Sequence, residues 1–374
     1  MKFVSVMTSE SPGGGEFAAV NMLEALAKRG HSAVLLTDQP EIADGREVEV
    51  RSIDLGPKLS RSSYGHLAPR WPRLLQTLRE ALGREAPYDA LVLHFKKEQL
   101  LGSLLPKRLR PRLIWAEWGP VPRQMTRGPG RLAYLAAARR TDLIFAVSAG
   151  TRDSLQGVGI PGRCVHIVPN AVPVGRAQFS AEGRARVRSQ CGIPDDALVV
   201  GCVSRFHAKK PNAVAVDAVV ELGRDDVHLI MAGEGEDEAN LRRHAEPLGE
   251  RAHFLPTPGP DIANICSAFD VSVFCPSPTE GAPLAVIHSM FAGRPCVATG
   301  DEGVAGLIVP GAGAIASSEH DSGALAEILR EYLDDASRRE REGAAALEIA
   351  ERTFAASAVA AKIETLVEPR RSHQ

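Results

Sequence analysis

The chain has 374 residues, with 44 Lys and Arg residues against 46 Asp and Glu residues. A net charge this close to zero argues against a protein that binds nucleic acid through bulk charge. Hydrophobic residues make up 44% and charged residues 24% of the sequence, which is typical of a globular protein, and the length fits two domains. The six cysteines form no C-x-x-C pair, so we expect buried free thiols and a cytoplasmic location.

The N-terminal residues predict a βαβ unit. An apolar run over 2–7 indicates a strand, although it is too short for a signal peptide or a membrane span. A glycine loop over 11–15 comes next, and apolar spacing then indicates a helix from about Glu16 to Arg29. Gly30 ends that helix and Ser32–Thr37 forms the next strand, so the crossover implies a parallel sheet.

Strand and helix patterns alternate through the rest of the chain. Two such α/β series are typical of two doubly wound domains, and the polar segment over 173–182 is the expected linker. The other predicted strands are 90–94, 113–115 and 143–147 in the first series, and 198–204, 227–233, 252–256, 271–275 and 295–299 in the second.

Two loops that follow predicted strands of the second half could bind a ligand, because ligands of open α/β sheets lie beyond the carboxyl ends of the strands. Arg205 and Lys210 follow the first of these strands and could clamp a diphosphate, or they could simply be solvated loop charges. Gly233 follows the next strand and would allow the backbone to approach a ligand, although it also fits an ordinary turn.

The stretch PSPTEGAPLAVIH places one carboxylate, Glu280, just before a helix that Pro283 can begin. Glutamate is not a favoured helix cap, so a capping role is a poor explanation. A carboxylate there could accept hydrogen bonds from the hydroxyls of a sugar. His288 lies eight residues later, and helical spacing allows its side chain to reach the same cleft.

Together these segments resemble glycosyltransferase family 4. The resemblance covers nearly the whole chain, and the motif that carries it best is PSPTEGAPLAVIHSMFAGRPCVA, where the family has two glutamates with seven residues between them. The other similar segments, in chain order, are GGGEFAAVNMLEALAKRGHSAVLLT, AVSAGTRDSL, VPNAV and SRFHAKK.

The resemblance implies the GT-B architecture, in which two Rossmann-like domains face each other across a cleft. The expected acceptor-binding domain spans 1–172, and the expected nucleotide-sugar-binding domain spans 173–352. A C-terminal helix, at about 353–374, is expected to pack back on the first domain.

The resemblance also implies roles for individual residues. Glu280 would contact the transferred sugar, and Arg205 and Lys210 would hold the diphosphate. The family's second glutamate, which binds the ribose, is replaced here by His288. The full expected donor-binding set is Gly14, Gly15, Arg205, Lys210, Gly233, Glu280, Gly281, Ala282, Pro283, Leu284 and His288.

The sequence departs from the family near the expected reacting centre. Many members have His-Gly at the end of one strand, whereas this chain has Trp118 before the glycine and Glu117 before that. Glu117 could orient or deprotonate an acceptor hydroxyl, and Glu117 and Trp118 could equally be a salt-bridged glutamate and a buried ring. His94, at another strand end, and Arg123 complete the expected acceptor-binding residues.

We expect an enzyme that transfers a sugar from a nucleotide-diphosphate sugar to a hydroxylated acceptor, with retention of anomeric configuration as the resemblance implies. Uridine diphosphate is the expected nucleotide, and guanosine diphosphate is the alternative. The sequence has no D-x-D, and we expect neither a metal nor another cofactor. A nucleotide-sugar epimerase of the same architecture and a catalytically silent nucleotide-sugar binder are the rival interpretations.

A basic cluster lies between the predicted strands 90–94 and 113–115. Its members could attract an anionic membrane, but no accompanying apolar stripe is evident, so we expect no firm membrane association. The sequence leaves the oligomeric state open. The members of the cluster are Lys107, Arg108, Arg110 and Arg112.

Overall fold

The computed structural model describes residues 1–9, 13–60, 63, 65, 67–257, 259–300, 303–316 and 321–368. Its contacts divide the chain into two compact units. The N-terminal unit comprises Met1–Ala171 and Ala356–Gln374, and the C-terminal unit comprises Val172–Ala355. No helix within the described ranges is both long and apolar enough to cross a bilayer.

The N-terminal unit is built on a parallel seven-stranded sheet with the order β3-β2-β1-β4-β5-β6-β7. Its strands are β1 (Lys2–Met7), β2 (Ser32–Thr37), β3 (Glu49–Ser52), β4 (Ala90–Leu93), β5 (Leu113–Glu117), β6 (Leu143–Ala146) and β7 (Val165–Ile167). Its longer helices are α1 (Gly14–Ala27), α2 (Trp71–Glu85), α3 (Lys96–Ser103), α4 (Gly128–Ala138) and α5 (Ala149–Gly157).

The C-terminal unit is built on a parallel six-stranded sheet with the order β10-β9-β8-β11-β12-β13. Its strands are β8 (Leu198–Val203), β9 (Val227–Ala232), β10 (Ala252–Leu255), β11 (Val271–Phe274), β12 (Cys296–Thr299) and β13 (Gly313–Ala316). Its longer helices are α6 (Ala181–Gln190), α7 (Asn212–Leu222), α8 (Glu238–His244), α9 (Ile262–Ala268), α10 (Leu284–Phe291), α11 (Ser322–Asp334) and α12 (Ala336–Phe354).

Most of the predicted strands lie inside the sheets and are buried on both faces, whereas β10 is a half-buried edge strand that its apolar residues still revealed. Residues of β4, β9 and β11 are buried throughout, as expected where helices cover both sides of a parallel sheet. The strands that sequence patterns missed are the edge strands β3, β7 and β13. Edge strands need less apolar surface: β3 reads Glu-Val-Arg-Ser and is mostly exposed.

The last helix, α13 (Ala356–Val367), returns to the N-terminal unit and packs on α1. Its buried face includes Val359, Ile363 and Val367, which join the core around α1. Glu364 at its edge accepts hydrogen bonds from Arg29 at 2.6 and 2.7 Å. This helix begins at Ala356 and not near residue 353, because Ala355 ends α12 and forms a bridge with Val172.

The segment predicted as a linker is tied to the C-terminal unit. The backbone N–H of Val172 donates to the carbonyl of Phe354 at 2.8 Å. Ser180 caps α6, and its own N–H donates to Ser267 Oγ at 3.0 Å. The contact boundary therefore follows Ala171, and α6 already begins within the last residues of the expected linker.

Candidate active site

The loop after β8 carries the two cations that the sequence singled out. Phe206 is fully buried and anchors the loop, while the neighbouring Arg205 is exposed. Asn212, the first residue of α7, donates from Nδ2 to the carbonyl of Arg205 at 3.0 Å. Lys210 is half-buried, with its ammonium group 5.5 Å from the centre of the Phe274 ring. The fold thus fixes the loop backbone, with Arg205 exposed and Lys210 half-buried.

Glu280 and Lys210 form an ion pair, with 2.9 Å between Oε1 and Nζ. Glu280 follows a tight turn in which its N–H donates to the carbonyl of Ser277 at 3.0 Å. Gly303 packs against Glu280: its φ is 67°, and a Cβ there would lie 2.6 Å from Glu280 Cβ. Only glycine suits that position, so the surrounding chain holds the backbone of the carboxylate in place.

Glycine is required at position 233 for a structural reason that involves no ligand. Its φ is 154°, and a Cβ at this position would lie 1.8 Å from the carbonyl oxygen of Ser204. The N–H of Ser204 donates to Ala232, and the N–H of Phe206 donates to Glu234, so the loops after β8 and β9 continue the sheet pairing. The close approach is therefore between two segments of this chain, which accounts for the glycine.

The segment from Gly281 to Leu284 leads directly into α10. Gly281, Ala282 and Pro283 are buried, Pro283 is the residue before the helix and Leu284 is its first residue. His288 lies one turn inside α10 and is only 9% exposed. Its Nδ1 has no hydrogen-bond partner among the described residues. Burial lowers the pKa of His288 to about 4, so the ring is neutral near pH 7.

The N-terminal unit gathers several predicted residues at the carboxyl end of its sheet. The rings of His94 and Trp118 are stacked, 5.6 Å apart, and a Cβ on Gly15 would lie 3.3 Å from the indole of Trp118. His94 is 2% exposed and hydrogen-bonds through Nε2 to Ser5 Oγ at 2.5 Å. Burial lowers its pKa to about 3. His94 is thus a neutral core histidine.

Glu117 has both carboxylate oxygens engaged. Lys96 donates to Oε2, and the hydroxyl of Tyr134 donates to Oε1 at 2.8 Å. The carboxylate is only 4% exposed. These contacts favour the interpretation of Glu117 as a salt-bridged structural residue over its interpretation as a base for an acceptor hydroxyl. Sequence reasoning missed Lys96, the first residue of α3, whose position shortly after the end of β4 was the available signal.

The remaining predicted residues lie on the surface of the N-terminal unit. Arg123 is exposed in a short 3₁₀ turn, Arg123–Met125. Gly14 is the first residue of α1, and a Cβ there would meet no atom within 4 Å. The space beside Gly14 is therefore open, although Glu10, Ser11 and Pro12 of the preceding loop lie outside the described residues.

The fold is that of the GT-B glycosyltransferases. HepE from Anabaena, solved in complex with UDP and glucose, superposes with a TM-score of 0.82 over 99% of this chain and 100% of its own, at 21% identity. WaaG, a glycosyltransferase involved in lipopolysaccharide biosynthesis, gives a TM-score of 0.71 at 18% identity, covering 98% of this chain and 99% of its own.

Family models match both halves of the chain. The model for "Glycosyltransferase Family 4" matches residues 12–176, and the model for "Glycosyl transferases group 1" matches residues 197–335. Both matches are to glycosyltransferases, one in each half of the chain, so the chain is an enzyme of the glycosyltransferase class.

Curated relatives carry names of the same class. A GDP-mannose-dependent phosphatidylinositol monomannoside mannosyltransferase of Corynebacterium glutamicum is 29% identical over 48% of this chain. A D-inositol 3-phosphate glycosyltransferase of Streptomyces avermitilis is 27% identical over 89% of this chain. The chain spans about half (49%) of the length of the first relative and 76% of the second.

Proposed function

We propose that this protein transfers a sugar from a nucleotide-diphosphate sugar to a hydroxylated acceptor, with retention of anomeric configuration. The observation that carries the proposal is the pairing of Lys210 with Glu280, which puts an ammonium group and a carboxylate 2.9 Å apart at the ends of two neighbouring strands. A diphosphate and the sugar attached to it need these two kinds of group side by side.

Lys210 and Arg205 supply positive charge where negative charge develops as the diphosphate departs. Fixed cations at such a point stabilise the transition state more than the ground state. We propose that this charge replaces a metal ion in the reaction, in keeping with the absence of a D-x-D sequence. The diphosphate itself would help to take the proton from the acceptor hydroxyl.

Glu280 and His288 would recognise the two sugars of the donor. Glu280 accepts hydrogen bonds from hydroxyls of the transferred sugar once the diphosphate has drawn Lys210 away from it. His288, neutral and with its Nδ1 unpartnered among the described residues, can exchange one or two hydrogen bonds with the ribose. Gly281, Ala282 and Leu284 would contribute backbone N–H groups nearby.

Uridine diphosphate is the nucleotide that we propose. The bound UDP of HepE supports it, and the GDP-mannose in the name of the Corynebacterium relative makes guanosine diphosphate the alternative. Trp118 and Arg123 are the proposed acceptor contacts in the N-terminal unit. We do not propose a catalytic role for Glu117, because Lys96 and Tyr134 already donate hydrogen bonds to both of its carboxylate oxygens. The free cysteines support a cytoplasmic location.

Thermal-shift titration with UDP, GDP and deoxythymidine diphosphate tests the donor site. A ligand that binds only the folded protein raises its stability by about 2.7 kcal/mol at a concentration of one hundred times Kd. We expect UDP to raise the melting temperature most, and Lys210→Ala to remove most of that rise. Lys209→Ala is the matched control, because Lys209 is the adjacent, exposed lysine.

Product analysis separates the proposed reaction from its rivals. With UDP-glucose and a panel of hydroxylated acceptors, a transferase releases UDP and forms an acceptor glycoside. An epimerase would change the donor without an acceptor, and a silent binder would show the thermal shift with no turnover. The names of the relatives, all transferases, argue against the epimerase.

A further inference from the structure

The loop between β8 and α7, over 204–211, is called the clamp loop below because it carries both Arg205 and Lys210. Asn212 follows it as the first residue of α7 and is completely buried. Asparagine is a poor helix former, and its amide is costly to bury unless hydrogen bonds compensate. Helix formation therefore does not explain the asparagine, whereas the contacts of its polar groups do.

Asn212 binds the carbonyl groups of both cationic residues. Its side-chain Nδ2 donates to the carbonyl of Arg205 at 3.0 Å, and its backbone N–H donates to the carbonyl of Lys210 at 2.8 Å. Arg205 lies near the start of the clamp loop and Lys210 near its end. One residue therefore fixes the two backbone positions from which the cationic side chains extend.

The two ends of the clamp loop are otherwise held by different contacts. The N–H groups of Ser204 and Phe206 donate to carbonyls at the end of β9 and in the loop that follows it, at 3.0 and 2.9 Å. The N–H of Lys210 donates to the carbonyl of His207 at 2.8 Å, which is a contact within the clamp loop itself. The side chain of Asn212 thus adds a direct link between the two ends.

The other polar atom of the Asn212 amide is not satisfied: Oδ1 is buried without a hydrogen-bond partner among the described residues. On the next turn of α7, Ala215 and Val216 belong to the apolar core of the C-terminal unit. A leucine has a similar branched shape and would leave no polar atom unsatisfied beside such a core. The bond that Nδ2 donates is thus the contribution that an apolar residue could not replace.

We propose that Asn212 is a positioning residue that holds Arg205 and Lys210 relative to each other, so that both can contact the diphosphate of one nucleotide. This role rests on the proposed function, in which these two residues bind the diphosphate. Because Asn212 is fully buried, it acts through them and not by contact with the donor. Groups that are ordered before a ligand arrives lose less entropy on binding, so the link favours affinity.

A nucleotide with two phosphates benefits most from the link between the two cations. UMP offers one phosphate, which a single cation can contact, whereas UDP offers two phosphates that need both cations at a fixed separation. Asn212→Leu and Asn212→Ala each remove the bond to Arg205. We expect either variant to weaken UDP binding about fivefold and UMP binding by less than about twofold, since one net hydrogen bond corresponds to about fivefold in a binding constant.

Calorimetric titration of the full chain with UDP and with UMP measures the selectivity, which is the ratio of the two dissociation constants. Asn212→Leu also removes the unsatisfied Oδ1, so we expect it to keep the urea midpoint of the wild type while it loses selectivity. A residue with a purely structural role would show the opposite pattern. Val219→Ala is the matched control, because it truncates a buried side chain two turns further along α7. It should lower the urea midpoint and leave the selectivity unchanged.

Lys210→Ala distinguishes the failure of this proposal from the failure of the proposed function. If Lys210→Ala reduces the selectivity and both Asn212 variants keep it, Asn212 does not position the cations and the proposed function stands. If Lys210→Ala also keeps the selectivity, or if the wild type binds UDP no more tightly than UMP, both proposals fail because these cations do not bind the diphosphate. An equal loss of selectivity in Val219→Ala would assign the effect to the stability of α7 and would overturn the positioning role.

Discussion

Glu280 is the residue whose contacts say most about how the donor site works. Its carboxylate pairs with Lys210, so an incoming diphosphate would compete with Glu280 for the ammonium group. Glu280→Gln keeps the size of the side chain and removes this competition. We therefore expect UDP to bind the variant at least as tightly as the wild type.

Turnover should respond in the opposite way to the same change. An amide accepts hydrogen bonds from sugar hydroxyls more weakly than a carboxylate, and a lost bond to a charged group costs about 1.5–3 kcal/mol. Calorimetric titration with UDP and rates with the full donor measure the two effects separately. A variant that loses UDP binding but keeps its transfer rate would show that Glu280 does not contact the sugar.

His288 supports a second prediction at the scale of one residue. The family's glutamate could accept from two ribose hydroxyls, whereas a neutral imidazole accepts only one hydrogen bond and donates another. His288→Glu should therefore keep or increase the affinity for UDP, as calorimetric titration would show. His288→Leu serves as the comparison, because it keeps the bulk without a polar atom and should weaken binding.

If His288→Glu abolishes binding while the circular dichroism spectrum is unchanged, His288 does not face the ribose. A side chain that is 9% exposed suits a core residue and also suits a residue that a nucleotide would cover.

At the scale of the helix and strand, the sequence predicted most of the elements that hold the candidate site. The strands before Arg205 and Glu280 are buried on both faces, so their apolar runs identified them directly. The contacts between loops could not be predicted, because they depend on distant residues. Gly303 packing on Glu280 and Ser204 approaching Gly233 are examples.

The residues predicted to bind the acceptor also have contacts that could not be predicted from the sequence. Glu117 was a candidate base in the sequence because it adjoins Trp118, which stands where many family members have a histidine, and a salt-bridged glutamate was the equal alternative. Lys96 lies 21 residues earlier and meets it only through the pairing of β4 with β5. A motif thus identifies the residue types of a site, while the fold decides which of them remain available.

Helix α13 gives a prediction at the same scale. Ile363 is 1% exposed and packs in the core around α1. Ile363→Ala should lower the free energy of unfolding by about 2–5 kcal/mol, since truncation leaves a cavity. The exposed Lys362→Ala on the same helix is the control and should change it by less than about 0.5 kcal/mol. Urea unfolding followed by circular dichroism measures both, and similar losses would mean that α13 contributes little through its buried face.

At the scale of the whole molecule, buried histidines set the response to acid. Burial lowers the pKa of His94 to about 3 and that of His288 to about 4, and it also lowers the pKa values of the stacked pair His228 and His253. The ordinary value in an unfolded chain is about 6.5. Below that pH the unfolded chain binds protons that the folded protein does not, so stability falls as the pH drops.

Asp38 and Glu98, whose pKa values burial raises, act in the opposite sense, because the folded protein binds their protons more readily. Their effect lies between the ordinary value near 4 and each raised pKa, where two carboxyl groups oppose four histidines. Between about pH 6.5 and pH 5 the histidines should dominate. At pH 5 a histidine shifted this far contributes a loss on the order of 2 kcal/mol.

The expected outcome is a lower urea midpoint at about pH 5 than at about pH 7.5, with the difference reduced in His94→Gln and His288→Gln. Each variant keeps a polar side chain of similar length and removes one titrating group. The two substitutions separate the histidines from the carboxyl groups, which both variants retain. Equal midpoints at the two pH values in the wild type would contradict the neutral, buried state of these rings. A difference that the variants leave unchanged would assign the acid response to other groups.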